Sequence, residues 1–481
     1  MGIRYAGLNS LFASILQVLN LTELGVGHVM IFSMYKPIAE DDSDTICALM
    51  ALYRKYYRII GGVVLAIGLA LLPFLPYLVK FDTVPNGINV YILYLMYLGQ
   101  TVFSYWLFAY RNCLFNAHQR VDILSKVSSI IIVIQYGLQI LVVVTLGNYY
   151  IYTLIMIVML IANNIVVAIL SKKMYPQYSP RGKLKKYEIK SINRRVKDLF
   201  INKLGSVVVD SADTIVISAF LGLAVLAIYQ NYFFVLTSVV GIIGIIFTSL
   251  NAGIGNSLVL DSKKKNYKDF EKISFAFMWV LGICVAMMFC LYQPFMYVWM
   301  GKGFLLPFEM MASFCIYFFV KEIEQLLSLY RNAAGKFHED RFRTVVSAVV
   351  NLALNLLLVR QFKLYGILFS TIVSFVLIGI PWIIRILFTT VFEKKYWKRY
   401  CFKMAVYIVG IAAVSIVAYA ACYCIHINKW VDLFLKAIIC FAVTNLLFIF
   451  MYRKSKLYAN AKILFKNIVK SFVGGLRRKK V

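Results

Sequence analysis

The residues in this chain that could do chemistry are charges placed inside apolar runs. The stretch from Lys197 to Val259 reads as two apolar spans joined by a Leu-Gly-Leu turn around Gly222, and the first span carries Lys203, Asp210 and Asp213. Charges at membrane depth are costly, so by default they face a protein interior or a hydrated cavity. On a helix, Asp210 lies about 20° round from Lys203 and Asp213 about 80° round, so the three can line one wall. A carboxylate there can bind a proton or a small cation, and an ammonium can hold a phosphate. A second group, Lys321, Glu324 and Arg331, falls within about 80° of one helix face. Glu23 stands alone in the first apolar run, before Leu24 and Gly25.

Amides add to this set. Asn351 and Asn355 are four residues apart and so share a helix face. Asn163, Asn164, Gln230, Asn231 and Asn251 place further polar atoms at membrane depth. Two readings stand side by side. The charges and amides pair between helices and only hold a bundle together, or they line a transport cavity between two lobes. On the transport reading the expected roles are Lys203, Lys321 and Arg331 as cavity cations for substrate, Glu23, Asp210, Asp213 and Glu324 as candidates for ion coupling, and Asn231, Asn251, Asn351 and Asn355 as polar cavity lining. Lys436 fits a snorkelling lysine.

The elements that must position these residues follow from composition. The chain has 481 residues, 62% of them hydrophobic, against roughly half for a soluble domain. Apolar runs of about 20 residues, the length of a membrane helix, recur from end to end. They do not alternate as the roughly 10-residue strands of a membrane barrel would. The expectation is an all-α polytopic membrane protein with about 13 spans, over 7–35, 57–79, 89–110, 127–146, 149–171, 198–221, 224–253, 273–299, 306–330, 342–361, 364–387, 401–423 and 430–452. The nine Cys include no C-x-x-C pair, and the four His are scattered, so no metal site is expected. There is no Walker A run and no dinucleotide fingerprint, hence no cofactor.

Loop charge tests this map. Of the 51 Lys and Arg, 42 fall on alternate sides starting after the first span, six on the other side and three within spans. The net charge of +30 is therefore a topology signal and not a nucleic-acid patch. The positive-inside rule makes the C-terminus cytoplasmic and, with an odd number of spans, the N-terminus external. Short outer loops leave little room for an extracytoplasmic active site, so no enzyme is expected. The basic, proline-containing segment 172–197 divides an N-terminal lobe, 1–171, from a C-terminal lobe, 198–452. The tail, 453–481, contains Leu457, Leu464, Ile468 and Phe472 near one face and Lys462, Lys466 and Lys470 at intervals of four. That pattern suits an interfacial helix on anionic lipids.

Two segments carry a resemblance. The run Glu23-Leu24-Gly25-Val26-Gly27, with Ser33 to Glu40 and Leu52 to Tyr57, resembles the second helix and first inner loop of bacterial polysaccharide flippases. Asp213 to Gly222, Tyr229-Gln230-Asn231-Tyr232 and Gly255-Asn256-Ser257 resemble their seventh and eighth helices. These are the Wzx-type members of the multidrug/oligosaccharidyl-lipid/polysaccharide exporter superfamily. The resemblance implies fourteen helices in two lobes around a central cavity, with the first helix missing here. It implies a flippase of the bacterial inner membrane that moves undecaprenyl-pyrophosphate-linked oligosaccharide for O-antigen, lipopolysaccharide or other surface polysaccharide synthesis, alongside other polysaccharide-assembly proteins. A multidrug or lipid II exporter of the same superfamily and a surface-glycan polymerase are the alternatives.

Overall fold

The computed structural model of the chain describes residues 2–20, 25–423 and 428–459, apart from the side chains at 81, 198, 199, 201–204, 206, 210, 252, 259, 337 and 338. Every regular element among them is helical. In order these are α1 (Ile3–Leu19), α2 (Val26–Ala39), α3 (Ser43–Ala70), α4 (Leu75–Leu78), α5 (Val90–Trp106), α6 (Asn112–Ala117), α7 (Val121–Thr145), α8 (Tyr149–Met174), α9 (Lys186–Leu221), α10 (Leu223–Leu260), α11 (Lys263–Met300), α12 (Phe308–Ala333), α13 (Phe337–Asp340), α14 (Arg343–Ser374), α15 (Ile380–Ile386), α16 (Trp397–Tyr423) and α17 (Lys429–Tyr452).

Local chemistry sets where several of these begin. Asn89 and Asn148 cap α5 and α8 by accepting two backbone N–H bonds each, and Asp42 caps α3. Such caps satisfy donors that the first helical turn leaves unpaired. The turn between α9 and α10 sits at Gly222, with φ 90° and ψ 170°, a conformation essentially restricted to glycine. A Cβ there would also press on Thr83 at 2.8 Å.

Among the described residues, eight helices are long and apolar enough to cross a membrane, or nine if the bent pair Val90–Trp106 and Ala109–Ala117 is one span. The chain is thus a multi-pass helical membrane protein. The difference from thirteen has local causes. The expected span 7–35 is interrupted, because α1 ends at Leu19 and α2 begins after Gly25, whose φ is 101°. The expected spans 342–361 and 364–387 run on as one helical stretch that turns at Lys363 (φ 50°, ψ −129°). Helix α12, with Lys321, Glu322 and Glu324 inside it, is not among the eight, and neither is α9, several of whose side chains lie outside the described residues. The surface agrees with a lipid environment: α7 buries only Gln139 and Val142, and Val144 is 78% exposed.

The helices form two compact units, Met1–Ala227 with Thr344–Leu364, and Ile228–Arg343 with the chain from Tyr365 on. In the first, Leu8, Leu11 and Phe12 of α1 are fully buried, and Phe12 meets the Tyr94 ring edge-on. Gly7 allows the backbone of Leu223 to pass at a distance where any Cβ would collide with its carbonyl. The segment 172–197 belongs to this unit. Its Ser179 amide donates to Cys47 Sγ, and Tyr56 donates to Asn193 at 2.6 Å. The long α9 starts inside this basic segment, twelve residues ahead of the expected span.

In the second unit α11 packs against α12, α16 and α17. Phe270 lies against Tyr330, Phe392 and Tyr400 in an aromatic core. Beside it Glu271 accepts from Lys403 at 2.7 Å and from Tyr267 at 3.0 Å. π-helical turns at Phe375–Gly379 and Leu387–Val391 flank α15. Pro381 supplies no N–H to the preceding turn, a common origin of such irregularity. Of the tail, residues from 460 on lie outside the described residues, and with them most of the amphipathic stretch.

Candidate functional site

In the first unit α9 and the first half of α14 share a buried polar seam. Asn355 donates from Nδ2 to Asp213 Oδ1 at 2.6 Å and to Asn351 Oδ1 at 3.3 Å. Asn351 and Asn355 are fully buried, and Asp213 is nearly so. Ser211, Thr214 and Ser218 on α9 and Ser347 on α14 are also buried. Their spacing by three and four residues puts each set along one helix face. Glycine makes the approach possible: a Cβ on Gly205 would stand 2.4 Å from the Thr344 backbone.

Several oxygens in this seam have no hydrogen-bond partner among the described residues. They are Asn355 Oδ1 and the hydroxyls of Ser211, Ser218, Ser347 and Thr344. Unsatisfied buried oxygens cost free energy unless something binds them. A carboxylate, two amide oxygens and several hydroxyls form an all-oxygen donor set. That chemistry suits a proton or a hard cation and not a soft transition metal. No cluster of three or more His, Cys, Asp or Glu that could hold a metal occurs among the described residues.

The sequence placed Lys203 and Asp210 on the same helix as Asp213. Their backbone lies in α9, but their side chains are outside the described residues, and Glu23 is outside them altogether.

In the second unit the three residues expected to group, Lys321, Glu324 and Arg331, have the following contacts. Lys321 donates to the Tyr317 hydroxyl at 3.3 Å, with its ammonium 5.9 Å from the Phe233 ring centre. Glu324 and Arg331 instead enter an ion-pair network with Asp340 and Arg343. Arg343 donates twice to Asp340, at 2.7 Å from Nε and 3.1 Å from Nη2, and its Nη1 donates to Glu324. Arg331 donates to the same Asp340. Both Asp340 and Arg343 are buried. Two guanidinium groups and two carboxylates balance, which is the condition for keeping charges out of water. Asn231 is half-buried and Asn251 exposed on α10.

Two features escaped the sequence reading. Asp340 and Arg343 looked like loop charges. The signal was an acid three residues from an arginine in a loop that is otherwise mostly basic. Glu322 was hidden between Lys321 and Glu324. It is fully buried on α12, and neither carboxyl oxygen has a hydrogen-bond partner among the described residues. It falls on the buried stripe Cys315, Phe318, Leu326 and Leu329, so helical spacing could have found it.

No protein-family model matches the chain, and no curated protein matches it significantly. Solved structures do match. An inward-facing multidrug resistance MATE family transporter of the MOP superfamily superposes with a TM-score of 0.60 at 14% identity, covering 81% of this chain and 92% of its own. The lipid II flippase MurJ in an inward closed conformation superposes with a TM-score of 0.59 at 14% identity, covering 94% of this chain and 97% of its own. At such identity the likeness establishes the fold.

Proposed function

We propose that this protein is a membrane exporter that moves a lipid-linked oligosaccharide from the inner to the outer leaflet of a bacterial inner membrane. The observation that carries an ion-coupled transport reading is the buried Asp213, Asn351 and Asn355 cluster, which falls in the expected spans 198–221 and 342–361. Helix bundles rarely bury a carboxylate there without a functional reason. The fold, shared with a multidrug transporter and a lipid II flippase, supports the same reading. A glycan headgroup cannot cross hydrocarbon unaided, because each unpaired hydroxyl costs several kcal/mol. The sequence motifs around Gly25 and Asp213 favour an oligosaccharide cargo. Lys321, held between aromatic rings in the second unit, is a candidate to meet a phosphate. Asp213 with the two asparagine oxygens would take up a proton or sodium ion in one state of an alternating-access cycle.

The first test is deletion of the gene in its bacterium, with the leaflet distribution of lipid-linked oligosaccharide read alongside surface glycan. Complete units trapped on the inner leaflet, restored by the 481-residue chain and not by its Asp213→Asn variant, is the expected result. Normal export by a well-folded Asp213→Asn variant would remove that residue from coupling. A second reading, lipid II export, is favoured by the superposition that spans 94% of the chain. It predicts inner-leaflet accumulation of peptidoglycan precursor with surface glycan intact.

A further inference from the structure

At the end of the second unit away from the basic loops, the helices α11, α12, α16 and α17 enclose a cleft of about 480 Å³. It lies in the size range of small-ligand sites. Its two halves differ in chemistry. One is a three-ring wall in which Phe289, Phe308 and Tyr419 lie with centroids 5.2 to 5.5 Å apart. The other is ionic. Lys436, with only 9% of its side chain exposed, donates to Asp432 Oδ2 at 2.9 Å. Lys429 also lines the cleft, with its ammonium 4.6 Å from the Tyr297 ring centre.

The Lys436 side chain turns back toward the start of α17 to reach Asp432, yet it stays buried. A buried ion pair needs its remaining donors and acceptors satisfied. Here Asp432 Oδ1 is buried and has no partner among the described residues. An ammonium carries three donors, and the bond to Asp432 uses one. The ionic half therefore offers a carboxylate oxygen seeking a donor, beside cationic groups able to meet an anion.

We propose that this cleft binds the headgroup of a zwitterionic phospholipid bearing a primary amine, with its phosphate at Lys436 and Lys429 and its ammonium at Asp432. The acyl chains lie along the Phe289, Phe308 and Tyr419 wall. The site is independent of the transported cargo. The two charges of the headgroup match the two charges of the pair in opposite sense, so neither partner is left uncompensated. A purely anionic lipid satisfies the lysines and leaves Asp432 opposed by like charge. A trimethylated headgroup supplies no N–H to Asp432.

The test uses the full-length chain, delipidated in detergent, with phosphatidylethanolamine, phosphatidylcholine and phosphatidylglycerol of identical acyl chains titrated by native mass spectrometry. The unmodified protein should bind phosphatidylethanolamine about tenfold more tightly than either other lipid, the worth of one charge-assisted hydrogen bond. Asp432→Asn should erase that preference, and Lys436→Met should weaken all three lipids. Equal binding of the three lipids by the unmodified chain overturns the proposal without any variant. Preference for phosphatidylglycerol assigns the cleft to an anionic phosphate alone and overturns it too. A preference for phosphatidylethanolamine that survives Asp432→Asn refutes the role of that carboxylate.

Discussion

The ion-pair network of the second unit allows one perturbation to be worked through in energy. Asp340 is the hub: it accepts from Arg331 and twice from Arg343, while Glu324 holds the far side of Arg343. Replacing Asp340 by Ala removes one of two negative charges and leaves a guanidinium uncompensated in a buried site. Removing one member of a buried pair costs about 3–5 kcal/mol. The paired deletion, Asp340→Leu with Arg331→Met, removes one charge of each sign and leaves Arg343 with Glu324. Replacing a buried pair with apolar groups of similar size is often close to neutral, so the double variant should lose no more than about 2 kcal/mol. Equilibrium unfolding in mixed micelles with increasing sodium dodecyl sulfate measures both. A single variant no less stable than the double refutes the charge-balance argument. The pair also separates structure from transport. If Arg331 serves the network alone, the double variant retains export in the complementation assay. If Arg331 meets the cargo, export is lost while the fold survives.

Other outcomes follow from close contacts and from titration. Gly205→Leu should destabilise the first unit by about 3 kcal/mol, the upper end for overpacking, since a Cβ meets Thr344 backbone at 2.4 Å and neither helix can yield cheaply; loss of folded protein on size exclusion checks it, and a stable Leu variant would overturn the close-approach account. His118 sits between transmembrane segments, stacked on Tyr175 at 4.5 Å, and burial lowers its pKa from the usual histidine value. The folded state thus binds its proton less readily than the unfolded chain. The stability this residue contributes is present above about pH 6.5 and is lost as pH falls through the histidine range. His118→Phe should flatten that part of a pH-stability profile, and an unchanged profile would exclude the residue as its source.

How much was legible in the sequence depends on the range of the interaction. Apolar length and the sided distribution of Lys and Arg gave a multi-pass helical protein, because crossing a bilayer is a local requirement that each 20-residue segment meets by itself. The turn at Gly222 was visible for the same reason: its positive φ is a property of one residue. The Asn351 and Asn355 pair was legible from its i, i+4 spacing, and the bonds Asn355 donates to Asn351 and to Asp213 agree with that face. That Asn355 reaches an aspartate 142 positions away was not legible, because nothing in either helix names its neighbour.

The tertiary structure alone decided which charges share a site. Lys321, Glu324 and Arg331 looked like one group because the helix face puts them close in angle. Residues Asp340 and Arg343, brought back beside α12 by the turn after it, draw Glu324 and Arg331 into a balanced network and leave Lys321 among aromatic rings. Likewise the sequence could say that Lys436 was a charge near a helix end. Only the packing of α17 against α11 and α16 made it the buried floor of a cleft. Hydrophobicity and charge bias act on each segment separately and so survive in the sequence. Pairing between buried charges depends on which segments meet, and that is set by the folded chain as a whole.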